Sequence, residues 1–550
     1  MRTFFSADEY WQSLEVAHRL AFGCGASHFG DPVNCKTRSL CRLCILGALL
    51  HRYGYLTWEW RARVRGWAHP LLFAALYKCC AALGVDTPLL LALLPRLLQA
   101  LCCAGGDVAT YVLGGTLFGE PAARCALLCH LSSWLVFYMG VRTFSTSMEA
   151  PLSAAALAAW PDWQTGGKGY MPALAFAAAA CVIRPTAALF WLPFWVCSLA
   201  AAGETPRRRK LLSATLGIGI PAMGFSTACD SFMYGALVSV PWRFFTFNVM
   251  QSGASAFGTH AALWYWLAAL PMATATMAPL TAAGAYLARR SAHTLLAAAA
   301  CFVAALSAIP HKEFRFLLPL LCPACTLAGA SLAQLGGFPV QRAAPRPQWL
   351  PHHKRWFHAA CVAVVVPQLV GALYLSLLHQ SGPDAALRHL SAAAASGRVG
   401  PGGILMLTPC HETPGYSHLH VAVPLAILDC SPDWRGRDTA ADVALVNERD
   451  AFFADPVGQL DRRLTAAVGP GHATTGAGEA ASWAAVVGAA VPPPRGLPSL
   501  VVAYDDISAA VHSTLTGRWG YTLAIRLFHA HFAVDRDQRQ LHIYELQRQG

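Results

Sequence analysis

Three clusters of ionisable residues have the types and spacing to do chemistry. The first is Asp8-Glu9, set beside Tyr10 and Trp11 in SADEYWQ. Adjacent carboxylates among aromatic rings can act as general base for a hydroxyl group, since partial burial tunes their pKa. The same residues suit a helix start capped by Ser6, where acids complement the backbone dipole. The readings are compatible, because a helix start is a rigid mount for a catalytic acid. The second cluster is His311-Lys312-Glu313-Phe314-Arg315-Phe316, wedged between two apolar runs. Charges so placed are costly and point to function. Lys312 and Arg315 can bind phosphate, Arg through its fork of donors; the alternative is a belt of charges reaching back to water. His311 and Glu313 lack the HExxH spacing of a zinc site. The third cluster is Arg142 to Glu149, with Arg184 in IRPTA. The arginines either hold an anionic leaving group or pair with Glu149. The aromatic loop 239–266, with His260, reads as a helix lying on a bilayer.

The elements that position these clusters follow from composition. The chain has 550 residues, 55% hydrophobic and 13% charged, about half the roughly 25% charge of a globular protein. Mean hydropathy is +0.41. Disorder, a coiled coil and a secreted disulfide scaffold are excluded, and an integral membrane protein with several spans remains. The net charge of +12 does not signal nucleic acid, because the basic residues fall in short loops between apolar runs, as the orientation rule for spanning helices requires. Many of the 19 cysteines lie in those runs as small hydrophobes. Cys35, Cys41, Cys44 and His51 match no standard zinc finger, so no metal is expected. The opening MRTFFSADEYWQ does not read as a cleavable signal peptide.

Apolar runs of membrane length stand at 88–105, 124–141, 187–203, 211–228, 262–288, 293–310, 316–335 and 356–378, with weaker ones at 68–84, 107–119, 150–161 and 170–183. The basic groups Arg207–Lys210, Arg289-Arg290 and the 336–355 loop fall on one side by parity, making that side cytoplasmic. The three clusters then share the opposite side. The chain divides into a luminal segment 1–67 with an atypical insertion at about 24–51, a multi-span domain 68–378, and a small luminal α/β domain 379–550. In the last, 401–430 alternate as strands, VVAYDDISAAVHSTL reads as strand-to-helix, LHIYEL as a closing strand, and 467–497 as a low-complexity insertion. Cys410 and Cys430 are candidates for a disulfide.

Several segments in order carry a family resemblance: DEYWQSLEVAH (8–18), YGYLTWEW (53–60), RTFSTSME (142–149), IRPTA (183–187), FNVMQ (247–251), HKEFRFLLPL (311–320), PCHETPGYSHLH (409–420) and DPVGQLDRR (455–463). With them the chain resembles the dolichyl-phosphate-mannose-dependent mannosyltransferases of the GT-C class, glycosyltransferase family 22, and among them the GPI mannosyltransferase III family. HKExRF is shared across related mannosyltransferases; DEYWQSLEVAH, TWEW and the PCHxTPxYSHxH box are more specific to the third-mannose enzymes. The resemblance implies a GT-C polytopic helical protein of about 10–12 spans, resident in the endoplasmic reticulum membrane, with the family's first span missing ahead of Asp8.

The implied reaction is an inverting transfer of mannose from dolichyl phosphate mannose to the 2-hydroxyl of the second mannose on a GPI precursor, giving an α-1,2 linkage. Asp8 or Glu9 would be the base. His311, Lys312, Arg315 and Arg184 would meet the donor phosphate, which needs electrostatic stabilisation more than an acid. Glu313, Arg142, Glu149, Trp58, Glu59 and His260 are further site candidates. No cofactor or metal is implied; the partners are the two lipid-linked substrates and the membrane. Thr146 stands where the family pattern has Asn, and Ala261-Ala262 where it has Pro-Trp. The alternatives are another mannosyltransferase of N-glycan or GPI assembly using the same donor, which would lack the 409–420 box, and a polytopic lipid transporter, which would show paired repeats and ionisable residues deep in its spans.

Overall fold

The computed structural model describes residues 3–6, 8–22, 56–161, 169–203, 205–250, 253, 258–342, 354–430, 448–468, 495–532 and 536–547. The insertion at 24–51, with Cys35, Cys41, Cys44 and His51, and most of 467–497 lie outside them. The principal helices are α1 (Glu15–Phe22), α2 (Trp58–Arg61), α3 (Ala68–Leu83), α4 (Pro88–Phe118), α5 (Glu120–Ser132), α6 (Ser145–Ala158), α7 (Met171–Ile183) and α8 (Ala188–Ala201). They continue as α9 (Thr205–Tyr234), α10 (Ala278–Leu287), α11 (His293–Ala308), α12 (Leu321–Leu335), α13 (Lys354–Leu377), α14 (Gly382–Ala395), α15 (Pro456–Val468) and α16 (Asp505–Ser513). Among the described residues five helices are long and apolar enough to cross a membrane, and four shorter ones are apolar. Leu- and Ala-rich runs form helices readily, and in a bilayer a helix satisfies every backbone polar group internally.

Three runs differ from expectation. The apolar stretches at 88–105 and 107–119 form one helix, α4, in which the intervening Asp107 is met by a polar partner: His130 of α5 donates Nδ1–H to its Oδ1 at 2.7 Å. The 124–141 run breaks at Ser133, whose hydroxyl caps a new turn at Trp134–Met139.

The chain forms two compact units, one of Met1–Pro95 with Tyr374–Gly550, the other of Arg96–Leu373. In the Arg96–Leu373 unit the near-fully buried α12 packs between α5 and α10. Small residues permit this where hydrophobic drive between helices is absent. A Cβ on Gly329 would strike the backbone of Ala126, and one on Gly284 the backbone of Leu327. Other helices turn apolar stripes outward, as Leu97, Leu101 and Val108 of α4 and Leu216, Ile220 and Met223 of α9 do.

The other unit holds a five-stranded sheet in the order β2-β1-β3-β5-β4. Its strands are β1 (Ile404–Met406), β2 (Leu425–Ile427), β3 (Leu500–Tyr504), β4 (Tyr521–Phe528) and β5 (Gln540–Leu546). β1 runs parallel to β2 and β3; β5 is antiparallel to β3 and β4. Strand residues alternate between two covered faces. Ile404, Met406, Val502 and Ile543 pack on Leu387 and Leu390 of α14. Leu405, Val501 and Ala503 pack with Leu460 of α15 and Ile507 and Val511 of α16. Cys410 and Cys430, just beyond β1 and β2, are bonded to each other.

Because a new methyl at either glycine meets backbone rather than a yielding side chain, Gly284→Ala and Gly329→Ala should each destabilise by about 1–3 kcal/mol, the usual cost of overpacking. Thermal unfolding in detergent checks this, with Gly219→Ala, which lies within α9 and faces open space, unchanged or more stable because alanine is the better helix former.

Candidate active site

In the Arg96–Leu373 unit a cleft brings together Glu149, Arg184, Thr186, Asn248, His311 and Phe316, closed on its apolar side by Phe302 and Leu306. Pro185 makes this geometry. A residue before proline is pushed out of the helical region, so α7 ends at Ile183 and Arg184 is extended (φ −146°, ψ 108°). Its guanidinium donates to Thr186 Oγ1 at 2.6 Å and Ser145 Oγ at 3.2 Å, lies 3.3 Å from Glu149 Oε2, and covers the Phe316 ring at 5.0 Å. Burial pushes the Glu149 carboxyl up to about 7 against the opposing charge of Arg184.

The 311–316 segment separates its charges by role. His311 lines the cleft and donates Nε2–H to Glu313 Oε1 at 3.0 Å. Arg315 grips Glu313 with two bonds of 2.6 Å while facing the Phe144 ring at 4.8 Å. Burial alone would raise the Glu313 carboxyl, but Arg315 and His311 outweigh it and hold it well below the usual carboxylate range. Lys312, placed by sequence beside a phosphate, is directed elsewhere: its buried ammonium donates to the carbonyls of Ile309 (2.7 Å), His260 (3.1 Å) and Pro310 (3.4 Å). It is a strut between the loop before α12 and the 258–262 segment. His260 joins that strut through its backbone, with its ring on Trp264 at 4.7 Å. Arg142 is fully buried; it donates to Tyr138 O at 3.2 Å and stacks on the Tyr138 ring. Thr186 and Asn248 were not singled out from sequence; the signal was a polar side chain inside the otherwise apolar and aromatic segments IRPTA and FNVMQ.

The other unit carries Asp8 and Glu9 on the turn leading into a π-helical stretch, Tyr10–Leu14, and then α1. Such widened turns recur at functional sites. Asp8 is half-buried, and Glu9 is only 1% exposed. The 8–22 segment is locked to the 409–420 box. Trp11 Nε1 donates to Thr413 O at 3.1 Å. The buried Glu15 carboxylate accepts from Gly415 N at 2.8 Å, Ser417 N at 3.1 Å and the Ser417 hydroxyl. His18 Nε2 and His420 Nδ1 share a bond of 2.9 Å. The approach at Gly415 is close: a Cβ there would sit 3.2 Å from Leu425 Cδ2 and 3.3 Å from Glu15 Oε2.

On the same helix Trp11 stacks against His411 at 5.3 Å, and Gln12 donates to Glu59 Oε1 at 3.3 Å. Glu59 also pairs with Arg65 at 3.3 Å, and Trp58 beside it is buried. His411 has a left-handed backbone (φ 64°), a strained state for a non-glycine residue. Burial lowers its pKa, opposed by the charges of Glu59, Asp8 and Asp429. Among the described residues no group of three His, Cys, Asp or Glu side chains could hold a metal ion.

Long apolar helices, an acid-bearing helix start and arginines at the ends of apolar helices suit a membrane glycosyltransferase of the GT-C class, and the family and fold matches give that class. Over 100% of this chain and 95% of the other, the fold is similar to ArnT from Cupriavidus metallidurans bound to undecaprenyl phosphate, with a TM-score of 0.54 at 12% sequence identity. The chain belongs to the Alg9-like mannosyltransferase family, whose family model matches residues 43–420. It is 32% identical to Mannosyltransferase APTG1 of Arabidopsis thaliana, covering 98% of this chain and 87% of that one. It is 31% identical to GPI alpha-1,2-mannosyltransferase 3 of Danio rerio (99% and 86%) and 34% identical to GPI mannosyltransferase 3 of Yarrowia lipolytica (83% and 79%).

Removing the Glu15 carboxylate strands two buried N–H groups, at about 1–3 kcal/mol each. Glu15→Ala should therefore lower the unfolding temperature and abolish transfer. Glu15→Gln, which keeps one acceptor oxygen, should fall between Glu15→Ala and wild type in both measurements.

Proposed function

We propose that the protein is the α-1,2-mannosyltransferase that adds the third mannose in GPI-anchor assembly, the role of GPI mannosyltransferase III, taking mannose from dolichyl phosphate mannose at the luminal face of the endoplasmic reticulum membrane. The observation that carries this reading is the interlock of 8–18 with 409–420 through Trp11, Glu15 and His18. These are the two segments most particular to third-mannose enzymes, and the relatives of matching length named above as GPI mannosyltransferases support the assignment.

The transfer is a single displacement. The 2-hydroxyl oxygen of the second mannose bonds to the anomeric carbon of the donor as its bond to phosphate oxygen breaks. β becomes α, the hydroxyl proton passes to a carboxylate, and dolichyl phosphate leaves. Asp8 is the base: a group that takes a substrate proton must reach the substrate, and Asp8 is half-buried where Glu9 is enclosed. Arg184 and His311 meet the phosphate, with Thr186 and Asn248 in the same cleft as hydrogen-bonding partners. Arg315 holds Glu313 and through it orients His311. Lys312, its donors turned to carbonyls, contributes position rather than charge. Glu149 beside the phosphate is compatible with an anion only when protonated, and its raised pKa serves that state. The reaction so drawn uses no metal or cofactor.

Cells lacking the third GPI mannosyltransferase should regain GPI-anchored protein at the surface when this chain is expressed, and not when it carries Asp8→Ala; surface staining by flow cytometry reads the outcome. Rescue by Asp8→Ala with failure of Glu9→Ala would move the base to Glu9. A raised carboxyl pKa means the neutral form persists up to about 7 and ionises above it. KM for the donor should then climb between about pH 6 and 8 in wild type and climb less in Glu149→Gln, where the imidazole of His311 remains as a group of the kind that changes charge over the same range.

A further inference from the structure

We infer that the tip of the β4–β5 hairpin, residues 528–532, is an anchor that seats the α/β unit in the headgroup layer of the bilayer. β4 ends at Phe528 and runs into His529-Ala530-His531-Phe532. Phe528 is 43% and Phe532 54% exposed, while His529 and Ala530 are buried beneath them. This tip is fastened to the end of α13, the terminal part of a helix apolar enough to span a membrane. Phe532 stacks on His379 at 4.7 Å and on Tyr374 at 6.0 Å, and the Tyr374 hydroxyl shares a bond of 2.9 Å with His531 Nδ1. Ser381 N donates to His529 O at 3.2 Å, and its hydroxyl to Phe528 O at 3.3 Å.

The exposed Leu377 and Leu378 continue the same surface, so apolar side chains pass from the end of a spanning helix to the hairpin tip. Two Phe rings with a Tyr hydroxyl and a His at their edge is the chemistry of the membrane interface, where one end of a side chain is apolar and the other wet. Continuity with the end of α13 selects lipid over a protein partner as the occupant.

The same helix end holds the start of the chain. Thr3 donates its hydroxyl to Leu375 O at 2.7 Å, and Phe4 N donates to Gln380 O at 2.9 Å. Asp8 follows four residues after Phe4. The anchor therefore fixes the depth at which Asp8 works, a consequence that rests on the function proposed above.

The test uses the full chain in lipid nanodiscs, with p-acetylphenylalanine placed at position 528, 532 or 522 and coupled to a hydroxylamine nitroxide. The replacement keeps an aromatic ring at 528 and 532. Position 522 is an exposed control near the far end of β4, roughly 20 Å away at the usual strand rise. Labels at 528 and 532 should relax faster with oxygen than with a water-soluble nickel chelate, and the label at 522 the reverse. Nickel accessibility at 528 and 532 equal to that at 522 would overturn the anchor. The readout is independent of catalysis, so water-exposed labels in an active transferase sink the anchor alone, and lipid-exposed labels in a chain without transfer activity sink only the function.

Discussion

The buried carboxylate of Glu15 is the constraint on which the acid-bearing unit depends. Burying a carboxyl group is costly unless it is hydrogen-bonded. Here the backbone N–H groups of Gly415 and Ser417 both donate to Oε1, while Oε2 is buried without a partner among the described residues and burial raises the pKa of the group. The match sets a register. With Glu15 fixed, Trp11 comes to Thr413 and His18 to His420, one contact on each side of the central one along the same helix. Asp8 extends beyond the last of these contacts, so its position follows from bonds made elsewhere. The disulfide between Cys410 and Cys430 ties the start of the box to the end of β2, and Tyr416, packed in the sheet core, ties its far part.

The Arg96–Leu373 unit meets a similar demand by a different route. Its charges are close in sequence, and each is assigned a partner locally. Glu313 is shared by Arg315 and His311, Lys312 is absorbed by carbonyls, and Arg184 is spread over Thr186, Ser145 and Glu149. What remains toward the cleft is a guanidinium, an imidazole and a carboxyl near neutrality, an arrangement suited to an anion that binds and is then released.

Much of this was legible in the sequence. Apolar runs placed most spanning helices, and alternation located β1, β2, β3 and β5, because burial of a helix or strand face leaves a periodic trace. Glu149, Arg184 and His311 were identifiable because ionisable groups are rare at the margins of apolar runs. Side-chain direction left no such trace. Whether Lys312 meets a phosphate or three carbonyls depends on where Ile309, Pro310 and His260 place their oxygens, and that is decided by packing. The merger of two runs into α4 was hidden for a related reason, since the partner that meets Asp107, His130, sits on another helix. Glu15 was also missed: within DEYWQSLEVAH it is an ordinary helical glutamate, and its partners lie 400 and 402 positions away.

That separation has a consequence for biogenesis. Helix α1 leaves the ribosome long before the groups that complete it. At about 5–20 residues per second, 400 residues take roughly 20–80 seconds. Throughout that interval the Glu15 carboxyl waits for donors that are still untranslated, so the acid-bearing helix locks onto the 409–420 box only after elongation has passed the intervening spans.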